Sequence, residues 1–521
     1  MPKKDYLSVL LKSLLTGTFL YVWVLILFFQ EYAWRKNLLP NAVLLVAILV
    51  IAGGIYCIRR RRGRNIRKYR LNSKQELFWL LAFSATLYVV QLAVIWNAGF
   101  RTSWDPGAVL YGARYAAQQD RAGIESMAYY FSVYPNNLLL VFFYAVILRI
   151  NAMIGSPISN GTLLLAFVQC IPISFGGILL FRVARRFVTG PLAWLTYWFY
   201  WLLAGLSGWI MIPYSDSSGL LLPLFLFWLY LKGKEVGDRR KKLLFCLLLC
   251  AAAYVGYWIK PMTMIVLIAI WLVEIIGMIG KIAAGKKLRE TGLHLYMLFA
   301  AAGFLAAALC VNTAVKSMDF PVVTETVLSW QHHMMLGANE KSSGGYNQED
   351  FDFSTAFSDR KEQNRAELAK VKERLKEMGF AGYGRLFTRK AAKNYLDGSF
   401  GWGGGETFYT EVFPERANPL CPLLRSLYYD DKEDNLFGYY AQLRQFVWLA
   451  VLFGIVFAAA GKAALNTEEK VLVLAVLGLM LYLQIFEAHP RYLFTYVPLY
   501  AILSAIGFRN LGSRVYDDKQ I

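Results

Sequence analysis

Stretches of nearly unbroken apolar sequence return throughout this 521-residue chain, and no other feature constrains its fold as much. Each is close to the roughly 20 residues that a helix needs to cross the hydrocarbon core of a bilayer. In lipid a backbone must satisfy its own hydrogen bonds, so spanning segments are helices or closed barrel strands. Runs such as "ELFWLLAFSATLYVVQLAVIWN" (76–97) show no period-two alternation and read as helices. Candidate spans fall at 14–30, 38–58, 76–97, 136–151, 161–181, 190–212, 216–232, 243–259, 262–280, 293–314, 446–461, 469–486 and 490–508. The expected class is an all-α polytopic membrane protein with about 13 spans, each near 20 residues. Composition agrees: 57% of residues are hydrophobic and 17% charged, against about 25% charged in soluble domains.

The formal charge is +20, yet nucleic acid is not the expected partner. "RRRRGRNIRKYR" (59–70), "KGKEVGDRRKK" (232–242) and "KIAAGKKLRE" (281–290) are short basic loops between apolar runs. Cytoplasmic loops of membrane proteins carry this excess of Lys and Arg. The assignment puts the N-terminus inside and residues 98–135 and 316–445 outside. Lys3, Lys4 and Lys12 precede or enter the first run with no small-residue cleavage site, so that run is expected to be a retained anchor. One conflict stands. "FRVARR" (181–186) reads as cytoplasmic, but full crossings at both 136–151 and 161–181 would place it outside. Either a segment is re-entrant or broken, or the charge rule fails there. The six cysteines and four histidines show no zinc-like spacing.

The expected organisation is a two-span hairpin with its basic loop (1–75), a transmembrane core (76–315) with a first outer loop at 98–135, an outer region (316–445), and C-terminal spans (446–521). Within the outer region, "SDRKEQNRAELAKVKERLKEMG" (358–379) is expected to be an amphipathic helix. Asp359 and Glu362 have capping-box spacing. Leu368, Val371, Leu375 and Met378 recur at helical intervals, and Gly379 is a natural stop. The loop "DGSFGWGGGETFYTEVF" (397–413) fits either a substrate cover or a structural turn.

Chemistry concentrates at span ends. Asp105 opens the first outer loop before Pro106 and Gly107, which are expected to interrupt any long helix there. A carboxylate at the mouth of a helix bundle is a candidate general base; the plain alternative is a solvated acid or helix cap. Arg101 and Arg114 flank it, and Asp120 and Glu125 follow. "YYFSVYPNN" (129–137) brings Tyr134 and Asn136 back towards the membrane, with Pro135 as a helix start and amides suited to sugar hydroxyls. Asp216 in "YSDSS", Lys260 in "WIKPM", and Glu487, His489, Arg491 and Tyr492 in "FEAHPRY" occupy three further outside turns. Lys260, Arg491 and Arg101 could hold a phosphate, with Arg offering bidentate contacts. Charges at span ends also snorkel with no further role. His332 and His333 adjoin "MMLG" and read as packed residues or as metal candidates; no metal set is assigned.

"RTSWDPGAVLYGARY", "YFSVYPNN" and "FEAHPRYLFTYVPL" together resemble the GT-C glycosyltransferases. The likeness is to the branch of protein O-mannosyltransferases and aminoarabinose transferases, and "HHMMLGANEKSSGGYNQEDF" and "DGSFGWG" look like the outer region of its Gram-positive members. The resemblance extends over nearly the whole chain through loose motifs. It implies a GT-C-like bundle, a polyprenyl-phosphate sugar donor and inverting transfer to a cell-envelope acceptor on the outer face of a bacterial plasma membrane. Asp105 would be the first-loop acid, acting as base or as the group that orients acceptor or metal, with Lys260 and Arg491 on the lipid phosphate. The single Asp before Pro departs from the acidic pair of the family, which leaves a divalent metal (Mg or Mn) open, and two extra spans precede the usual first one. Rival readings are a lipid-linked oligosaccharide flippase or transporter, and a polysaccharide ligase or polymerase.

Overall fold

The computed structural model describes residues 5–32, 37–62, 72–156, 158–288, 292–403, 411–430, 436–461 and 463–517. Among these residues the regular structure is helical, apart from one two-residue antiparallel pairing of Phe100 with Val412 and Arg101 with Glu411. Among the described residues, nine helices are long and apolar enough to cross a membrane. The other four expected spans are helices too. Asn41–Ile55 is a shorter apolar helix, and Leu222–Glu235 has only 14 residues. Thr467–Ile485 carries Glu468, Glu469 and Lys470 in its first turn. The segment 190–212 is broken. The chain is an all-α polytopic membrane protein.

Lipid gives helices no hydrophobic reason to associate, so close backbone approach and buried hydrogen bonds must hold them together. Both are present. Gly507 lies against the Gly454 carbonyl, where Phe437–Ala458 meets Val497–Asp517, and Gly303 lies against the Leu247 carbonyl. A Cβ at either glycine would collide with backbone. Tyr395, Tyr500 and Trp448 form a buried aromatic knot with Phe19 of the first helix.

Ion pairs define one end of the bundle. Arg186 meets Glu235 at 2.9 Å, Lys234 meets Glu274 at 3.0 Å, Lys470 meets Asp5 at 2.5 Å, and Arg509 joins Glu469 (3.0 Å) to the Phe187 carbonyl (2.9 Å). "FRVARR" therefore shares an end with the basic 232–242 loop, and the topological conflict resolves in favour of the charge pattern. The reason lies in Leu138–Met153. Its start is tied to the Asp105 region through Asn137, which donates to the Tyr130 hydroxyl at 2.8 Å. Its far end is tied through Arg149 to the carbonyls of Ala116 and Ala117 and lies beside Gly161. Gly161–Ala184 then runs antiparallel to Ser73–Ala98, with Leu163 against Gly99 and Ser174 bonded to Gln91. Leu138–Met153 thus begins and ends at the same end of the molecule. It is apolar enough to span, but it does not carry the chain across.

The break at 190–212 aims the site. Gly190–Tyr200 continues into the π-helical turn Trp201–Gly205 and the short turn Gly208–Met211. Irregular backbone at membrane depth must find partners inside the protein. Arg444 donates to the carbonyls of Leu202 (2.9 Å) and Leu203 (2.8 Å), Gln91 to Gly205 (2.7 Å), Tyr440 to Leu206 (2.6 Å) and Gln169 to Ile210 (2.8 Å). The strand-like exit delivers Tyr214 and Asp216 to the opposite end from the ion pairs.

The outer region covers that end. Arg360–Tyr395 is capped by Asp359, which accepts from the amides of Lys361 and Glu362. Gly379, at φ 58° and ψ −172°, is non-helical: the first helix stops there, as the sequence suggests, and a second continues to Tyr395 across a kink. The buried face is also rotated from the expected one: Gln363, Glu367 and Val371 are buried, whereas Leu375 is exposed. The polar stripe turns inward because Gln363 donates to Glu367 (3.1 Å) beside His332, and Val371 clusters with Met335. The helix packs on protein. In the glycine-rich loop, Asp397 accepts from the amides of Ser399 and Gly401 and buries Phe400 and Trp402. Residues 397–403 are thus a structural turn, and 404–410 lie outside the described residues.

Candidate functional site

At the end opposite the ion pairs a cavity of about 1040 Å³ opens, large for a small-molecule pocket. Asp105 lies on its wall. The helix Trp104–Gln118 starts there, so Pro106 sits in a first turn, where its missing N–H costs nothing. This corrects the expectation that Pro106 and Gly107 interrupt a helix. Trp104 pays with a φ of 35°, sparsely populated for a bulky residue. Such strain persists only where the surroundings over-determine it. Here the surroundings are Arg491, whose guanidinium stacks 4.7 Å from the Trp104 ring, and Tyr214, packed edge-on.

Two phenols hold the carboxylate. The Tyr130 hydroxyl donates to Asp105 Oδ1 at 2.9 Å and the Tyr214 hydroxyl to Oδ2 at 3.2 Å, while Asn137 fixes Tyr130 from behind. Burial, followed by the charge of Asp105, pushes the ionisation of both phenols well above its ordinary value. They remain hydrogen-bond donors, and the carboxylate has one fixed orientation.

A cationic group sits in the same cavity. Lys260, the single residue between Arg239–Ile259 and the next helical turn, donates to Asp216 Oδ1 at 2.5 Å and lies 4.6 Å from the Tyr492 ring. Burial pulls Lys260 down further than Asp216 raises it. Arg491 Nε stands 3.8 Å from Asp216 Oδ2 and has no hydrogen-bond partner. Asp216 is 1% exposed and lies behind the cations, outside the cavity lining. Nearby, Glu487 accepts from the Tyr492 hydroxyl (3.0 Å) and lies 3.7 Å from His333 Nδ1. Burial pushes Glu487 up, but His333 and the charge of Arg491 outweigh it and hold it at about 2. His489 accepts the Arg491 amide on Nδ1; burial and Arg491 keep it well below its ordinary value.

Part of the wall is apolar. Tyr257, Ile265, Ile268 and Tyr482 line it, and Tyr257 and Ile268 are each 48% exposed on the outside of the bundle.

The model of a family described as conserved hypothetical integral membrane protein matches residues 5–511. The chain belongs to that family. It is a multi-pass integral membrane protein in contact with the lipid bilayer. No protein of curated function matches it.

The structure gathers Asp105, Tyr134, Asn136, Lys260, Glu487, His489, Arg491 and Tyr492 around the one cavity, with Asp216 behind them. Four expected residues lie elsewhere. Arg101 pairs with Glu411 at 3.0 Å on the small strand pair. Arg114 is not on the cavity wall. Asp120 caps a short helix by accepting the Gly123 amide, and Glu125 is exposed. Helix Trp104–Gln118 carries Arg114, Asp120 and Glu125 away from Asp105. Tyr130, Tyr214 and Lys393 join the site unforeseen, while Asn137, weighed as a sugar-binding amide, and His333, weighed as an imidazole, lie on its wall. Tyr214 is two residues from Asp216 and Tyr130 lies within "YYFSVYPNN", but an aromatic residue near a span end already has a sufficient role as an interface anchor. Among the described residues, no three His, Cys, Asp or Glu side chains could hold a metal ion together. His332 is buried instead against the Ser354 hydroxyl at 2.7 Å.

Proposed function

We propose that this chain is a glycosyltransferase of the bacterial plasma membrane. It transfers a sugar from a polyprenyl-phosphate carrier to a hydroxyl of a cell-envelope acceptor, such as a glycan, teichoic acid, glycolipid or protein. The observation that carries the reading is the pairing, within one cavity, of an oriented carboxylate with two cations. Asp105 takes the acceptor proton as its oxygen attacks the anomeric carbon. The carbon–oxygen bond to phosphate breaks, the configuration inverts, and the phosphate leaves with both electrons. That leaving group needs cationic stabilisation, which Lys260 and Arg491 supply. The apolar wall at Tyr257 and Ile268 suits the polyprenyl tail, and Tyr134 and Asn136 suit sugar hydroxyls. The basic end faces the cytoplasm by the charge rule, so the cavity faces out.

A divalent ion does not fit the donors present at Asp105. Among the described residues no second carboxylate joins it, and with one phenol on each oxygen the remaining lone pairs stay open to an acceptor hydroxyl.

The test is transfer from radiolabelled undecaprenyl-phosphate hexose to a crude envelope acceptor by purified protein in detergent. Asp105→Asn should lose at least about 100-fold, the scale of general-base catalysis, while eluting as wild type on size exclusion. Transfer undiminished in Asp105→Asn would move the base elsewhere. Absence of transfer from any lipid-linked sugar, with lipid scrambling in liposomes instead, would replace the enzyme reading with a flippase.

A further inference from the structure

A second recess lies away from this cavity and shares no lining residue with it. It is an open groove of about 750 Å³ between Ser73–Ala98 and Gly161–Ala184. Tyr88, Leu92 and Trp96 form one stripe of its wall, Phe167 and Val168 face them, and Asn418 roofs the top. The roof is firmly built: Asn418 donates to the Asn97 side chain at 2.9 Å.

The rim carries a cation. The Arg416 guanidinium stacks 4.1 Å from the Trp96 ring, and its Nε has no hydrogen-bond partner. The described carboxylates around it are engaged elsewhere: Glu415 pairs with Arg425 at 3.5 Å and Glu411 with Arg101 at 3.0 Å. The neighbouring helix presents an apolar face outward. Leu420–Tyr428 buries Cys421 and Tyr428 but exposes Leu420 and Leu423, the pattern of a helix lying at the boundary of headgroups and acyl chains. A guanidinium on an aromatic face at that level, above an apolar groove, is matched to a phosphate carrying a hydrocarbon chain.

We propose that this groove binds a membrane glycerophospholipid, with its phosphate on Arg416 and one acyl chain along Tyr88, Leu92 and Phe167. The site is independent of the cavity and of the reading given to it.

The test uses the full-length protein in liposomes containing phosphatidylglycerol with a photoreactive acyl chain, followed by peptide mapping of the label. Label should concentrate on 88–96 and 164–168, above the lipid-facing Leu305 and Leu309 of Leu293–Lys316. Arg416→Gln should lower it about fivefold, the scale of one interfacial cation, and leave Leu305 and Leu309 unchanged. Val168→Trp, which fills the groove without touching the roof, should do the same should Arg416→Gln fail to fold. Label no denser in the groove than at Leu305, or unaltered in both variants, overturns the proposal. Displacement of the label by undecaprenyl phosphate but not by unlabelled phosphatidylglycerol also overturns it, in favour of a carrier-lipid site.

Discussion

Asp216 serves two cations at once, and that arrangement predicts an asymmetry. Lys260 Nζ lies 2.5 Å from one carboxylate oxygen and Arg491 Nε lies 3.8 Å from the other. At an effective dielectric constant of about 20, these separations correspond to about 7 and about 4 kcal/mol of attraction before desolvation. Removing one partner of a buried pair costs about 3–5 kcal/mol, because the other is left uncompensated. Lys260→Met leaves Asp216 with Arg491 and should fall at the low end, about 3 kcal/mol. Asp216→Asn leaves two buried cations facing each other and should fall at the high end, about 5 kcal/mol. The double variant retains only Arg491, still stacked on Trp104, and should cost about 2–3 kcal/mol less than the sum, within the range of coupling between contacting residues. Unfolding in mixed micelles by added SDS, followed by circular dichroism, measures all three. A Lys260→Met variant less stable than Asp216→Asn, or costs that add within about 0.5 kcal/mol, would refute the claim that one carboxylate neutralises both cations.

Arg444→Met should destabilise the protein by about 3–5 kcal/mol in the same assay, since it strips the donors from the Leu202 and Leu203 carbonyls where the π turn leaves them free; a cost below about 1 kcal/mol would mean that water replaces the guanidinium. His332 is held near 3 by burial and by His333, so the unfolded chain binds the extra proton between that value and about 6.5. Stability should therefore rise with pH across this window, by up to about 1.4 kcal/mol per unit, and His332→Gln should flatten the rise when unfolding is followed from pH 4 to 7. Tyr130→Phe removes a hydrogen bond to a charged group, worth about 1.5–3 kcal/mol, and should slow the proposed transfer about 10- to 100-fold through kcat; an effect on KM alone would assign Tyr130 to substrate binding.

The helices were legible because burial in lipid is a local demand. Each span must be apolar over its own length, and every expected segment falls on helical structure, although 190–212 is broken midway. Leu138–Met153 shows where that signal ends. Its composition is that of a crossing helix, yet its course is set by Asn137 bonded to Tyr130 at one end and Arg149 bonded to Ala116 and Ala117 at the other, contacts that leave no periodicity behind. Only the arginines of "FRVARR" betrayed the problem, through a charge count that full crossings could not satisfy. In the same way the helix stop at Gly379 was visible as a glycine, but the burial of Gln363 and Glu367 depends on His332, about 30 residues away in sequence.

The site divides along the same line. Asp105, Lys260, Glu487 and Arg491 stood out because ionised groups at span ends are costly and few, so each one asks for a reason. Arg101, Asp120 and Glu125 stood out equally, and their reasons proved to be a strand-pair ion pair, a helix cap and solvent. What separates the two sets is direction. The helix beginning at Trp104 places Asp105 at the cavity and moves everything after its first turn away, while the broken segment at 201–211 turns Tyr214 back towards it. Neither event can be read from the loop that contains the acid. Tyr134 and Tyr492 were expected at the site, but Tyr130 and Tyr214 went unrecognised because in a membrane protein an aromatic residue near a span end already has a sufficient explanation as an interfacial anchor. A phenol is noticed as a hydrogen-bond donor only when its acceptor is in view, and for Tyr214 that acceptor lies 109 residues earlier in the chain.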